Sequence, residues 1–205
     1  PVATDIFANL NVLFAIECNP DPVDVADWVR FNVANSGAEA ALVIRRLAPG
    51  DHVHDVAEFR KALRGIKALK TFVLLDYNIP LGKPDHPAES NRMLAPEAPG
   101  KALLEVPEND IWRAPLGQFG VYAAARFRFL ADARAVLHCS IADMVNTGAE
   151  SLFDMAETGP SYVKIRSRYA YPWKIPNEGA PRIGDHSCVR FDSDMGASIW
   201  CADPK

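Results

Sequence analysis

Three short groups of polar residues stand directly behind apolar runs, where a strand would deliver them to the rim of a sheet. Glu17-Cys18-Asn19 follows Asn11-Val-Leu-Phe-Ala-Ile16, Arg45-Arg46 follows Ala40 to Ile44, and Asp76 follows Thr71 to Leu75. A guanidinium fork at such a tip suits a phosphate, though a solvated sheet edge would carry the same pair. Asp76 could meet a ligand or cap the next turn. A fourth group, Ser140-Ile-Ala-Asp143, follows Ala133-Arg-Ala-Val-Leu-His-Cys139. His138, inside that run, reads as a core histidine bonded to a neighbour, and His52 and His54 read as surface residues. Trp112, Trp173 and Trp200 could stack on flat rings or serve the core first. No GxGxxG, GxxxxGK[ST] or GxSxG pattern is present, which argues against dinucleotide dehydrogenase, P-loop and serine-hydrolase chemistry.

The elements that must carry these tips alternate. Asn11 to Ile16 is a continuous apolar run, as expected of a strand covered on both faces. Asp21 is placed to cap a helix with Pro22 at its first position; Val25, Trp28, Val29 and Val33 recur at helical spacing, and Gly37 is a natural stop. A second strand spans Ala40 to Ile44. Asp55 opens a second helix with a stripe of Val56, Phe59, Leu63 and Ile66, and Thr71 to Leu75 is a third strand. Strands alternating with helices imply parallel pairing, with ligands beyond the carboxyl ends of the strands. Residues 77–100 then carry Pro80, Pro84, Pro87, Pro96 and Pro99 and little periodicity, the mark of a functional loop or a mobile segment within one domain. Order returns with a helix from Gly117 to Leu130, on which Phe119, Tyr122, Arg126 and Leu130 share a face. The strand from Ala135 to Cys139 comes next, then a short helix from Leu152 to Glu157 and a strand from Tyr162 to Tyr169. The tail beyond Tyr171 is rich in Pro, Gly and Asp, with one apolar stretch at Cys188 to Phe191.

Composition narrows the classes. With 205 residues, 49% hydrophobic and 23% charged, the chain can bury one sizeable core. A formal net charge of −4 with scattered bases leaves no footprint for nucleic acid. The one basic run, Lys164-Ile-Arg-Ser-Arg168, alternates as the face of a strand would. Cys18, Cys139, Cys188 and Cys201 form no CxxC pair. Cys18 and Cys139 sit in or beside apolar runs, where a thiol behaves as a small hydrophobe. The first residues lack a basic, then apolar, leader, and no run approaches the roughly 18 apolar residues of a membrane span. A reducing, cytoplasmic setting without membrane association is expected.

Taken in order, the first strand, a helix carrying Asp27-Trp28 and ending at Asn35-Ser-Gly37, a second strand, an Arg-bearing helix and then Arg134-Ala-Val-Leu-His-Cys139 resemble the GT-A glycosyltransferases of the family-2 and family-92-like type. The likeness covers most of residues 10–170 and is sharpest in the dozen residues from Arg134. In that family the late strand typically ends Asp-Ile-Asp-Glu-Leu-Val. The matching stretch here is Ser140-Ile141-Ala142-Asp143-Met144-Val145. The resemblance implies an α/β fold, a GT-A-like Rossmann-type sandwich with a mostly parallel central sheet flanked by helices and a mixed arrangement among the late strands. It implies one such domain over residues 1–205, with the Pro-rich loop at 77–100.

The activity it implies is transfer from a nucleotide sugar donor to a glycan or other hydroxyl acceptor. Donor contacts would come from Glu17, Asn19, Arg45, Asp76, Arg126, Ser140 and Ala142. A Mn²⁺ or Mg²⁺ ion would be held by Asp143 and by His186, which otherwise reads as a loop histidine. Asp185 or Glu178, in the family's late segment, would accept the acceptor's proton. Two carboxylates one residue apart give a divalent cation hard oxygen ligands, and the cation stabilises the departing diphosphate. Ser140 and Ala142 replace both, so Mn²⁺ or Mg²⁺ binding is weakened. Asp192-Ser193-Asp194 restores the pattern only out of place, and reads rather as a turn. The replacement raises an alternative, a catalytically inactive relative kept as a binding or interaction module. A parallel sheet lacking the mixed late strands would instead indicate an unrelated α/β domain.

Overall fold

The computed structural model of the chain describes residues 2–87, 108–114, 117–167, 182 and 195–205. Six strands form one sheet in the order β3-β2-β1-β4-β6-β5. Along the chain these are β1 (Asn11–Cys18), β2 (Ala40–Arg46), β3 (Thr71–Tyr77), β4 (Ala135–His138), β5 (Tyr162–Ser167) and β6 (Met195–Ala202). β3, β2, β1 and β4 run parallel, while β6 lies antiparallel between β4 and β5. Val12 to Ala15 and Ala40 to Val43 are buried on both faces, which is why these runs are continuously apolar.

Helices α1 (Pro22–Ser36), α2 (Val56–Ala62) and α4 (Leu152–Thr158) cover one face, around Leu13, Trp28, Val43, Phe59, Leu137 and Phe153. The other face holds α3 (Gln118–Ala125) and a short turn at Thr4–Phe7, around Phe7, Phe14, Leu42, Val121 and Val136. The caps of α1 form as read from the sequence. The Asp21 carboxylate accepts from Val23 N at 2.7 Å, Pro22 opens the helix, and Gly37 closes it at φ +78°, a left-handed conformation that glycine adopts without strain. Asp55 caps α2 in the same way, accepting from Ala57 N at 3.0 Å.

Three expectations change. The second helix stops at Ala62 and its first residue, Val56, is exposed, while Leu63 and Ile66 reach the core from the turns beyond it. The helix expected over Gly117 to Leu130 is α-helical only to Ala125 and closes in a wider π turn over Arg126–Leu130. That turn takes an extra residue, so the buried positions are Val121, Ala125 and Leu130, spaced by four and then five. Phe119 and Phe127 are left facing outward, each 68% exposed. Finally, β6 had no counterpart in the reading of the Pro- and Gly-rich tail. The apolar Cys188 to Phe191 stretch singled out there lies outside the described residues, as does Asp192-Ser193-Asp194. Among the described residues no helix is long and apolar enough to cross a membrane.

Candidate functional site

The order of the sheet makes a crevice. From β1 the chain moves outward to β2 and β3, and later returns on the other side of β1 as β4, so the crossovers diverge between β1 and β4. Beyond the carboxyl ends of strands at such a switch point, α/β sheets bind ligands. The register sharpens the crevice. His138, the last residue of β4, pairs with Phe14, whereas β1 continues through Ile16, Glu17 and Cys18 beside β2. The end of β1 therefore has no β4 neighbour, and the chain leaving β4 folds into the gap.

Glu17 organises that fold. Its Oε1 accepts from the Ser140 hydroxyl at 2.8 Å and from Ile141 N at 3.0 Å. Asp143 Oδ2 accepts from Ser140 N at 2.8 Å, and Asp143 N donates back to the Ser140 carbonyl. Burial pushes the Asp143 carboxyl above its ordinary range, partly offset by the Ser140 N–H that favours the ionised form. From α1, the fully buried Asn32 clamps the same turn, its amide donating to the Asp143 carbonyl at 3.2 Å and its oxygen accepting from Val145 N at 3.0 Å.

A cavity of about 240 Å³ opens over this tip, lined by Glu17, Arg46, Tyr122, His138, Ser140 and Asp143 among others. The Tyr122 hydroxyl and His138 Nε2 are 2.8 Å apart, and the His138 ring stacks on Trp200 at 5.0 Å. Burial raises the Tyr122 pKa, and the nearby Glu17 charge raises it further. A second cavity of about 250 Å³ lies on the far side of Arg46, lined by Cys18, Asn19, Asp51, Asp110 and Trp112. Arg46 is a wall of both.

The residues singled out from the sequence thus divide. Glu17, Ser140 and Asp143 meet at the β1 and β4 tips. Asn19 lies directly beyond the end of β1, with its amide on the His52 carbonyl at 2.6 Å and its buried Oδ1 without a partner. Ala142 is exposed and brings no ligand atom. Arg45 is neither a solvated edge nor open at the rim. It is 1% exposed, grips both oxygens of Asp76 at 2.8 and 3.0 Å, donates to the His54 carbonyl and lies over the Phe59 ring. Asp76 is its partner. Arg126 donates to the Pro204 and Lys205 carbonyls and lines a third, apolar cavity of about 320 Å³ with Phe14, Tyr162 and Trp200. Glu178, Asp185, His186 and Trp173 lie outside the described residues.

Among the described residues, the β4 tip offers little of the donor set that the divalent ion implied by the resemblance would use. Ser140 spends its hydroxyl on Glu17, Ala142 has no ligand atom, and Asp143 is turned to backbone. Among the described residues no three His, Cys, Asp or Glu side chains gather as a metal group. Asn32 and Tyr122 were missed as site residues, whereas Trp112 had been offered as a stacking residue and lines the second cavity. A polar Asn between Trp28 and Val33 on the buried stripe of α1 was the available signal for the first; nothing in spacing marked the second. The chain matches no family model, no curated protein and no solved structure.

Proposed function

We propose that this chain is a GT-A-like domain that binds a nucleotide sugar across the carboxyl ends of β1, β2 and β4. The observation that carries the reading is the pair of cavities sharing Arg46 at the sheet's switch point. A nucleotide sugar has that form, with a flat base and ribose at one end, a polyhydroxylated ring at the other and a diphosphate between. Trp112 offers a stacking face on one side, while carboxylates and ring donors on the other suit sugar hydroxyls. The antiparallel β6 between β4 and β5 supports the GT-A-like reading over a purely parallel α/β domain.

Titration of the protein with UDP, GDP and their hexose conjugates, followed by calorimetry with and without Mn²⁺, tests this. Saturable binding of at least one is expected. Heats no larger than dilution for every nucleotide in both buffers would remove the reading.

Whether the bound sugar is transferred is a separate matter. Transfer to a glycan or other hydroxyl acceptor would need a base, for which Asp185 and Glu178 are the residues the resemblance offers. The Ser140 and Ala142 tip favours the other outcome, a binding module retained without turnover. In a donor-hydrolysis and sugar-transfer assay it gives no product, and metal-dependent product would exclude it.

A further inference from the structure

A diphosphate brought to these strand ends needs a counter-charge, and the tip of β4 offers no pair of carboxylates to recruit one as a metal. Arg46 is the cation already in place. The residue is 8% exposed, and its Nε is buried without a hydrogen-bond partner, while Nη1 donates to the Trp112 carbonyl. The strand fixes it from both sides: Arg46 pairs with Cys18 of β1 and Tyr77 of β3, and its carbonyl accepts from Asn19 N at 3.0 Å. The carboxylates around it hold backbone donors. Glu17 and Asp143 cap the β4 tip, Asp51 accepts from Ala48 N, and Asp110 accepts from Trp112 N. An unsatisfied guanidinium donor in a poorly hydrated wall is costly until an acceptor arrives. An anionic oxygen at that point would meet the Arg46 guanidinium, with its remaining bulk divided between the two cavities.

We propose that Arg46 takes the place of the divalent cation, so that this domain holds the diphosphate of its ligand without a metal. The proposal rests on the nucleotide-sugar reading of the site, and its test separates the two. UDP, GDP and inorganic pyrophosphate are titrated into the wild-type protein in excess EDTA and again in Mn²⁺. Affinities for the nucleoside diphosphate that agree within about twofold are expected. Arg46→Gln should weaken binding in EDTA by at least about tenfold, and Arg46→Lys, which keeps a charge but not the fork, by less. Binding seen only with Mn²⁺ would overturn the metal-free proposal and leave the nucleotide-sugar reading standing. So would metal-free binding that a folded Arg46→Gln protein retains in full. Absence of binding to both nucleotides in both buffers would remove the reading and the proposal together. If Arg46→Gln does not fold, the wild-type comparison of EDTA with Mn²⁺ still decides.

Discussion

Arg45 and Arg46 are neighbours in sequence and do opposite work, because a strand sends adjacent side chains to opposite faces. Arg45 points to the side of α2, where Phe59 and Asp76 enclose it; Arg46 points the other way and lines both cavities. The Arg45–Asp76 pair joins adjacent strands in register and is one-sided, with Arg45 almost fully buried and the Asp76 side chain 50% exposed. Removing the exposed partner leaves a buried charge with its main acceptor gone. Asp76→Ala is therefore expected to lower stability by about 1–2 kcal/mol in urea denaturation, discounted for the water that reaches Asp76. It should leave nucleotide affinity unchanged in the folded protein. A loss of affinity without a loss of stability would make Asp76 a ligand contact, as the sequence first offered it. The double arginine was legible as a strand-tip pair. Which of the two remains open was not, because that depends on which face α2 covers and on where the Asp76 carboxylate settles.

At the scale of elements, the site depends on one strand being shorter than its neighbour. β4 ends opposite Phe14 while β1 runs on to Cys18, and the turn after β4 fills the difference. That turn is held from two directions, by Glu17 at the end of β1 and by Asn32 in the middle of α1. Asn32→Ala would strip the buried Val145 N–H of its acceptor and the Asp143 carbonyl of a donor. It is expected to cost about 2–4 kcal/mol, read from denaturant unfolding. A cost under about 0.5 kcal/mol would mean that α1 does not anchor the tip. The helix boundaries around it were readable because their chemistry is local: Asp21 and Asp55 cap through their own next residues, and Gly37 takes a φ open to glycine. The π turn at Arg126–Leu130 was not, since a helical face read at regular spacing has no place for an inserted residue. Asn32 itself broke the apolar stripe of α1, a visible irregularity whose partner lies more than a hundred residues away.

For the whole molecule, the parallel half of the sheet followed from alternating strands and helices, whereas the mixed half turned on β6. That strand is hidden in a tail whose Pro, Gly and Asp residues mask a short run, Ile199-Trp200-Cys201-Ala202, with Ile199 and Cys201 buried against α1 and α4 neighbours. Sheet order could not be read from sequence, because pairing between β4 and β6 joins segments some sixty residues apart and is decided by packing. The order does give the site a position that can be tested by rebuilding its chemistry. Ser140 and Ala142 are both exposed, so carboxylates there would meet solvent and not the core. Ser140→Asp with Ala142→Asp would set two acids beside Glu17 and Asp143, crowding negative charge at the β1 and β4 tips. The apo double variant should be less stable than the parent, and Mn²⁺ should restore it by binding the folded state alone. The expected reading is a thermal midpoint that rises with Mn²⁺ in the double variant and stays flat in the wild type, with saturable Mn²⁺ binding by calorimetry. A folded double variant that ignores Mn²⁺ would mean that this tip is not where the resemblance locates its metal, and would take with it the comparison on which the nucleotide-sugar reading leans.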